Sequence, residues 1–190
     1  MDKLKVGNLV GSIAKASINR KLAYALAKLA PAELKLEEIA IAGLPMYSYD
    51  HDKDYPQVAR RFKQAIADAD GLLFVTPEYN RSIPGVLKNA IDWGSRPWGD
   101  NSFTGKPTGV IGTSPGSIGT AVAQQHLRGI LNYCNAPLMN DVEAYVQFKP
   151  DMIDADGNVA NDDTAGFLRK YMRAYAEFLP RMKGTLPKGR

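Results

Sequence analysis

Short apolar runs alternate with longer amphipathic segments along this chain. The short runs predict five strands, at residues 5–10, 34–39, 71–76, 108–113 and 136–139. Apolar residues at helical spacing predict five helices, at residues 18–30, 56–69, 84–93, 118–133 and 162–182. This alternation of strand and helix favours a three-layer α/β fold with a mainly parallel sheet.

Several of these elements carry signals of their own. Ser17 is a suitable N-cap for the first helix, which has to stop before Pro31. Residues 71–76 are a near-continuous apolar run, which is typical of a parallel strand covered on both faces. Residues 34–39 alternate apolar with charged positions, so we expect that strand near an edge of the sheet.

Length and composition narrow the class of protein. A chain of 190 residues that is 45% hydrophobic and 23% charged predicts a single globular domain over residues 1–190. The single cysteine, Cys134, excludes a disulfide framework. Two histidines leave little for a catalytic zinc, so no metal is expected. The chain has no apolar run of 18 residues and no signal-peptide pattern, which predicts a cytoplasmic protein without a membrane partner.

The charge balance bears on the class of ligand. There are 24 Lys and Arg residues against 20 Asp and Glu residues, a formal net charge of +4. The basic residues are scattered and match no nucleic-acid-binding motif, so no nucleic-acid partner is expected. The positive surplus is compatible with small anionic ligands.

Three polar loops follow the predicted first, third and fourth strands, at residues 11–20, 77–85 and 114–119. Ligands of open α/β sheets bind outside the carboxyl ends of the strands. In the strand order 2-1-3-4-5 these three strands are neighbours. The three loops would then line one crevice.

Each loop has its own chemistry. The first offers hydroxyls, an amide and backbone N–H groups at a helix N-terminus, a suitable place for a phosphate, although an ordinary helix cap has the same composition. It is neither a P-loop nor a dinucleotide-binding fingerprint. The second loop holds Glu78 and Asn80 between Pro77 and Pro84, which restrict its backbone. It is either a ligand-binding loop or an ordinary surface turn. The third loop offers Ser hydroxyls and backbone donors, or is a bare helix cap.

The motifs in these loops identify a resemblance. The first loop reads Gly-Ser at 11–12 and Ser-x-Asn-Arg at 17–20. Residues 76–93 read Thr-Pro-Glu-Tyr-Asn-x-Ser-x-Pro-Gly-x-Leu-Lys-Asn-Ala-Ile-Asp-Trp. Over roughly residues 3–145 the chain resembles the NADPH-dependent FMN reductase family, and within it the small quinone and chromate reductases. The resemblance implies a flavodoxin-like three-layer fold with a five-stranded parallel sheet in the order 2-1-3-4-5.

The resemblance also implies a cofactor, non-covalent FMN, and the residues around it. The phosphate would lie among Ser12, Ser17, Ile18 and Asn19. The ribityl chain and the ring would follow the second loop, with the third loop opposite, at Pro77, Glu78, Tyr79, Asn80, Arg81, Ser82, Ser114 and Gly116. No side chain is expected to be catalytic, because the flavin carries the chemistry.

Two positions depart from the family pattern. Ala14 stands where relatives usually carry arginine, and Arg81 stands where they tend to carry an aromatic residue. A charge-assisted hydrogen bond contributes about 1.5–3 kcal/mol. Loss of the loop arginine therefore predicts FMN binding weaker by roughly ten- to hundredfold, unless Lys15, Arg20 or Arg81 compensates.

The expected activity follows from the resemblance. The protein would transfer a hydride from NADPH or NADH through FMN to quinones, and to chromate or other soluble small-molecule acceptors. Arg96 would bind a phosphate of NAD(P)H or an oxyanion, or else be a surface or interface arginine. The resemblance further implies a homodimer or homotetramer with the third and fourth helices near the interface, where Trp93 and Trp98 would fit unless they are core residues.

Two other functions share features with this sequence. A flavodoxin-type electron carrier would share the fold without oxidising NAD(P)H itself, and the basic charge of this chain argues against it. Residues 112–116 also match the Gly-x-Ser-x-Gly nucleophile elbow of α/β-hydrolases. Those enzymes place an acid and then a histidine after the serine, whereas no Asp or Glu lies between Ser114 and His126. The hydrolase interpretation is therefore rejected.

Overall fold

Strands and helices alternate along the computed structural model, which describes residues 3–183. The strands are β1 Leu4–Val10, β2 Leu34–Glu38, β3 Gly71–Val75, β4 Thr108–Ser114 and β5 Tyr145–Gln147. The helices are α1 Ile18–Leu29, α2 Gln57–Asp68, α3 Gly85–Gly94, α4 Ala121–Tyr133 and α5 Asp162–Lys183. The strands pair in parallel in the order β2-β1-β3-β4-β5, which confirms the predicted fold.

Each face of the sheet carries its own hydrophobic core. Helices α1 and α5 cover one face, and α2, α3 and α4 cover the other. The first core is built around Leu22, Leu26, Leu73 and Tyr175. The second core is built around Leu9, Phe74, Trp93, Phe103 and Leu127. Strand β3 is buried along its whole length, as its apolar run predicts.

Helix α5 packs against the sheet at two glycines, Gly71 in β3 and Gly109 in β4. A Cβ atom on Gly71 would lie 2.8 Å from the hydroxyl oxygen of Tyr175, and one on Gly109 would lie 3.0 Å from that of Tyr171. The Tyr175 hydroxyl donates to the carbonyl oxygen of Leu72 at 2.7 Å. The glycines therefore allow two fully buried tyrosines to lie directly on β3 and β4.

The fifth strand was predicted at the wrong place. The structure puts β5 at Tyr145–Gln147, where it pairs with the last three residues of β4. Residues 136–139 make only one isolated bridge, between Leu138 and Thr108. Pro137 has no N–H to donate to a strand ladder, so this apolar run stops after a single bridge.

Helix α4 begins three residues later than predicted, at Ala121 instead of residue 118. Gly119 adopts a φ of +59°, in the left-handed region, so the chain cannot be α-helical before this point. Trp93, one of the two candidate interface tryptophans, is fully buried in the core. Within residues 3–183, no helix combines the length and hydrophobicity that crossing a bilayer requires.

Candidate functional site

The first loop links the end of β1 to α1. The Ser17 hydroxyl accepts from the backbone N–H of Arg20 at 3.3 Å, which confirms Ser17 as the N-cap of α1. The Ser12 hydroxyl accepts from the N–H of Ala14 at 3.3 Å. Both serines are buried, whereas residues 13–16 between them are exposed. The loop thus presents its backbone, and the first-turn N–H groups of Ile18 and Asn19, at a positive helix end.

The side chain of Asn19 is engaged inside the protein. It is fully buried, and its amide pairs with the backbone of Thr113 through two hydrogen bonds, of 2.9 and 3.0 Å. Asn19 therefore fastens the first turn of α1 to the end of β4, next to Ser114. This brings the first and third loops together. It leaves the backbone N–H of Asn19, not its side chain, as a donor for an anion.

Arg20 is also committed to partners in the protein. Its Nη1 lies 2.5 and 2.6 Å from the two carboxylate oxygens of Glu38, and its Nη2 donates to the carbonyl oxygen of Ser12 at 3.2 Å. The hydrogen bond that Arg20 donates to Glu38 raises the pKa of Arg20 above its usual value. Arg20 thus fixes the backbone of the first loop at Ser12. Ala14 and Lys15 lie exposed at the outer part of that loop.

The second loop contains a tight two-residue turn. Tyr79 and Ser82 exchange two backbone hydrogen bonds of 2.9 Å each. Asn80 and Arg81 between them have φ angles of +51° and +62°, as the two central residues of a type I′ turn require. Left-handed backbone at residues other than glycine costs about 1–3 kcal/mol each and is found mainly at functional sites. The turn leaves the ring of Tyr79 exposed.

The Glu78 carboxylate lies at the base of this turn. One oxygen accepts from Arg81 Nη1 at 3.0 Å, and the other accepts from the backbone N–H of Ala123 in α4 at 3.1 Å. Pro77, just before it, is buried, and its carbonyl oxygen accepts from the Thr76 hydroxyl at 2.8 Å.

The second and third loops meet at a cavity of about 310 Å³. Its lining combines polar and apolar groups, from Glu78, Asn80, Arg81, Ser114, Gly116, Ile118 and Gly119. The Ser114 hydroxyl donates to the carbonyl oxygen of Gly119 and so closes the third loop. The cavity lies at the carboxyl ends of β3 and β4, where a ligand of this kind of sheet is expected.

Arg96 lies away from the three loops. It lines a groove of about 1240 Å³ between α3 and α4, and its guanidinium lies 5.5 Å from the centre of the Trp98 ring. Its carbonyl oxygen accepts from the hydroxyl of Tyr55 at 2.8 Å and from the Lys63 ammonium. Of the residues expected at the FMN site, Ser82 alone lines this groove among residues 3–183.

The structure also bears on the rejected hydrolase interpretation. His126 Nδ1 lies 3.2 Å from the hydroxyl of Ser82, whereas Ser114 is bonded to Gly119. The serine and the histidine of the elbow motif thus have different partners. Within residues 3–183, His, Cys, Asp and Glu side chains form no group of three that could hold a metal ion.

Sequence reasoning missed several residues of this region. Thr113 and Ala123 take part through their backbones, for which the sequence gives no signal. Ile118 and Gly119 line the cavity as part of the third loop, although neither was named at the FMN site and the predicted helix at 118–133 also includes both. The glycine itself was the available signal, because glycine is the residue favoured at a left-handed position.

The observed groups fit the chemistry of FMN. Free N–H groups at the start of α1 suit a phosphate. The cavity between the second and third loops combines hydrogen-bonding groups with Ile118, which suits a flat heterocycle. Asn19 holds the start of α1 beside the third loop through its bonds to Thr113.

Comparison with known proteins agrees with this geometry. The sequence model of the NADPH-dependent FMN reductase family matches residues 4–151. A 2-hydroxy-1,4-benzoquinone reductase of Burkholderia sp is 54% identical over 176 residues, which are 93% of this chain and 96% of the relative. A quinone reductase of Pseudomonas putida is 43% identical over 175 residues, 92% of this chain and 94% of the relative. The flavoenzyme NAD(P)H:(acceptor) oxidoreductase of Paracoccus denitrificans superposes with a TM-score of 0.90 at 43% identity, covering 94% of this chain and 98% of that structure. The chain belongs to the NADPH-dependent FMN reductase family.

Proposed function

We propose that this protein is an FMN-dependent NAD(P)H:quinone oxidoreductase. The observation that carries the proposal is the meeting of three loops at the carboxyl ends of β1, β3 and β4, beside the cavity of about 310 Å³. Bound FMN supplies the chemistry, since it accepts a hydride from NAD(P)H and passes electrons on to an acceptor. The protein binds the cofactor and leaves one face open to both substrates.

The first loop is proposed to hold the phosphate. Ser12 and Ser17 contribute hydroxyls, and Ile18 and Asn19 contribute first-turn N–H groups at the positive end of α1. Because the side chain of Asn19 is occupied by Thr113, its role is to fix the position of these donors.

The second and third loops are proposed to hold the ring and the ribityl chain. Their contribution is mostly backbone, because the turn is fixed by reciprocal backbone hydrogen bonds. The residues involved are Pro77, Glu78, Tyr79, Asn80, Arg81, Ser82, Ser114 and Gly116. Arg81 and Ser114 line the cavity from the second and third loops, which supports placing the ring between them.

Quinones are the acceptor class that the similar proteins support. Two of them are named for quinone or hydroxybenzoquinone reduction, and their similarity extends over more than nine tenths of both chains. Chromate reduction and a cytoplasmic location stay predictions. The electron-carrier alternative is the less favoured one, because the relatives that match over more than nine tenths of this chain are named as reductases.

We also propose that a second copy of the chain covers the groove between α3 and α4. Trp98 and Tyr133 line this groove with 79% and 76% of their surface exposed, which is unusual for large aromatic residues in a monomer. Arg96 in the same groove is then a candidate for an interface residue or for a phosphate of NAD(P)H. Analytical ultracentrifugation of the wild type and of Trp98→Ser tests the dimer or tetramer.

The experiment that tests the function is the visible absorption spectrum of the purified protein with FMN, followed by anaerobic NADPH or NADH. A bound-flavin band that bleaches with the nucleotide and returns with a benzoquinone is the expected result. Binding of FMN without bleaching would favour the electron carrier. Failure to take up FMN at all would overturn the proposal.

A further inference from the structure

The turn of the second loop is attached to helix α4 at two points. Before the turn, Glu78 Oε2 accepts from the backbone N–H of Ala123 at 3.1 Å. At its end, the Ser82 hydroxyl lies 3.2 Å from His126 Nδ1. Ala123 and His126 are three positions apart, so both attachments fall on one face of the first two turns of α4.

The charge of Glu78 is unusual for its environment. Only 7% of its side chain is exposed, against 69% for its partner Arg81. A buried carboxylate has to be compensated by a cation or by hydrogen bonds. Glu78 receives both, because Arg81 neutralises one oxygen and the positive end of α4 stabilises the other.

Helix α4 in turn depends on a distant residue for its cap. Thr120, at the N-cap position, makes no side-chain capping hydrogen bond. The carboxylate of Glu78, 45 residues earlier, satisfies the N–H of Ala123 in its place. The same carboxylate therefore completes the helix and fixes the base of the turn.

The turn itself needs such support. Asn80 and Arg81 both have left-handed backbone, which side chains disfavour and which persists only when the surroundings impose it. The ion pair between Glu78 and Arg81 spans the turn from its base to its second central residue. It therefore favours the conformation that the two backbone hydrogen bonds require.

We propose that Glu78 is a positioning residue for the cofactor site. Its carboxylate docks the 79–82 turn onto α4 and sets the backbone of that turn at the edge of the cavity, so that it acts on FMN through the turn. This inference rests on the proposed function, and it adds a role for the Glu78 side chain to the expectation that Glu78 lies at the FMN site.

The test compares Glu78→Ala, Glu78→Gln and an exposed control, Glu33→Ala, which makes the same charge change away from the loops. Two quantities are measured: the amide hydrogen exchange of Ala123 and residues 79–82 without FMN, and the Kd for FMN from the quenching of its fluorescence. The alanine variant should exchange faster at these amides and bind FMN at least roughly tenfold more weakly. The glutamine variant keeps an oxygen for the Ala123 N–H but loses the ion pair with Arg81. It should therefore retain the protection of Ala123, and its exchange at residues 79–82 and its FMN Kd should lie between those of the wild type and the alanine variant. Glu33→Ala should match the wild type.

Two results would overturn the proposal. One is unchanged exchange and an unchanged FMN Kd in Glu78→Ala. The other is a glutamine variant that keeps both Ala123 and residues 79–82 protected yet loses FMN as severely as the alanine variant, since the carboxylate would then contact FMN itself. Failure of the wild type to bind FMN would instead refute the proposed function, and the exchange measurement would still decide whether Glu78 docks the turn.

Discussion

The side-chain amide of Asn19 pairs with both backbone polar groups of Thr113. Asn19 Nδ2 donates to the Thr113 carbonyl oxygen at 2.9 Å, and the Thr113 N–H donates to Asn19 Oδ1 at 3.0 Å. The two residues are 94 positions apart, and both are fully buried. This pair joins the helix that begins at the first loop to the strand that ends at the third.

Replacing Asn19 with alanine should destabilise the protein without FMN. Two buried hydrogen bonds are lost and the backbone groups of Thr113 are left without them, at a cost of about 2–4 kcal/mol. Urea unfolding of the FMN-free protein measures the change. Asn132→Ala makes the same chemical change at an exposed position of α4 and should alter stability by less than about 0.5 kcal/mol. Equal effects of the two variants would contradict the role given to Asn19.

Introducing arginine at Ala14 should strengthen FMN binding. Ala14 lies exposed on the first loop, while Arg20 is held by Glu38 and Arg81 by Glu78, so neither is free to replace the missing cation. A new charge-assisted bond should lower the FMN Kd about tenfold. Fluorescence titration at low and high salt checks this. Ala16→Arg adds the same charge to the same loop, and a gain as large as that of Ala14→Arg would mean that only the net charge matters.

Alanine should be tolerated at Gly116 but not at Gly112. A Cβ on Gly112 would lie 2.0 Å from the carbonyl oxygen of Thr76, and backbone cannot move aside cheaply. We expect a loss of more than about 3 kcal/mol in the free energy of unfolding. At Gly116 the nearest atom is the Ser114 hydroxyl oxygen at 3.6 Å, an ordinary contact. Thermal unfolding of both FMN-free variants measures the difference, and a Gly112→Ala protein as stable as the wild type would disprove the close packing.

Stability should fall in alkaline solution, partly because of Tyr175. Burial raises the pKa of Tyr175 and of Cys134, so the folded state holds these protons more tightly than the unfolded state. Their contribution is complete below the unfolded pKa, about 10 for tyrosine, and is lost as the pH rises further. Tyr175→Phe removes the bond to Leu72, which should cost about 1 kcal/mol at neutral pH. Above about pH 10 its stability should fall less steeply than that of the wild type. Denaturant unfolding of the two proteins from neutral to alkaline pH tests both predictions. Parallel pH profiles would show that Tyr175 does not contribute to the alkaline loss of stability.

The sequence predicts the architecture well because its strands are strongly patterned. The run at 71–76 and the Ser17 cap are local signals, and the structure confirms both. Strand β5 has only three residues, too few for a periodic pattern, so the longer apolar run at 136–139 was chosen instead. The position of β5, a short strand at the edge of the sheet, is set by its pairing with β4 more than by its own sequence.

The candidate site shows the same limit at the level of side chains. Motifs identify which residues gather at the site, but not which partner each side chain takes. Asn19 and Glu78 are expected at the FMN site, but the sequence does not predict that their side chains bind the backbones of Thr113 and Ala123. Both partners are distant in sequence and contribute only main-chain atoms, which are the same at every position and leave no trace in the residue pattern.

The close fit of α5 against the two glycines also determines when this face of the sheet can be covered during protein synthesis. Every strand leaves the ribosome before α5, because α5 follows them all along the chain. Until then the sheet face above Gly71 and Gly109 lacks the two tyrosines that fill it. The sheet face that α1 covers in part is therefore fully covered only when α5 emerges, and a chain stopped before Tyr171 would expose a surface prone to aggregation.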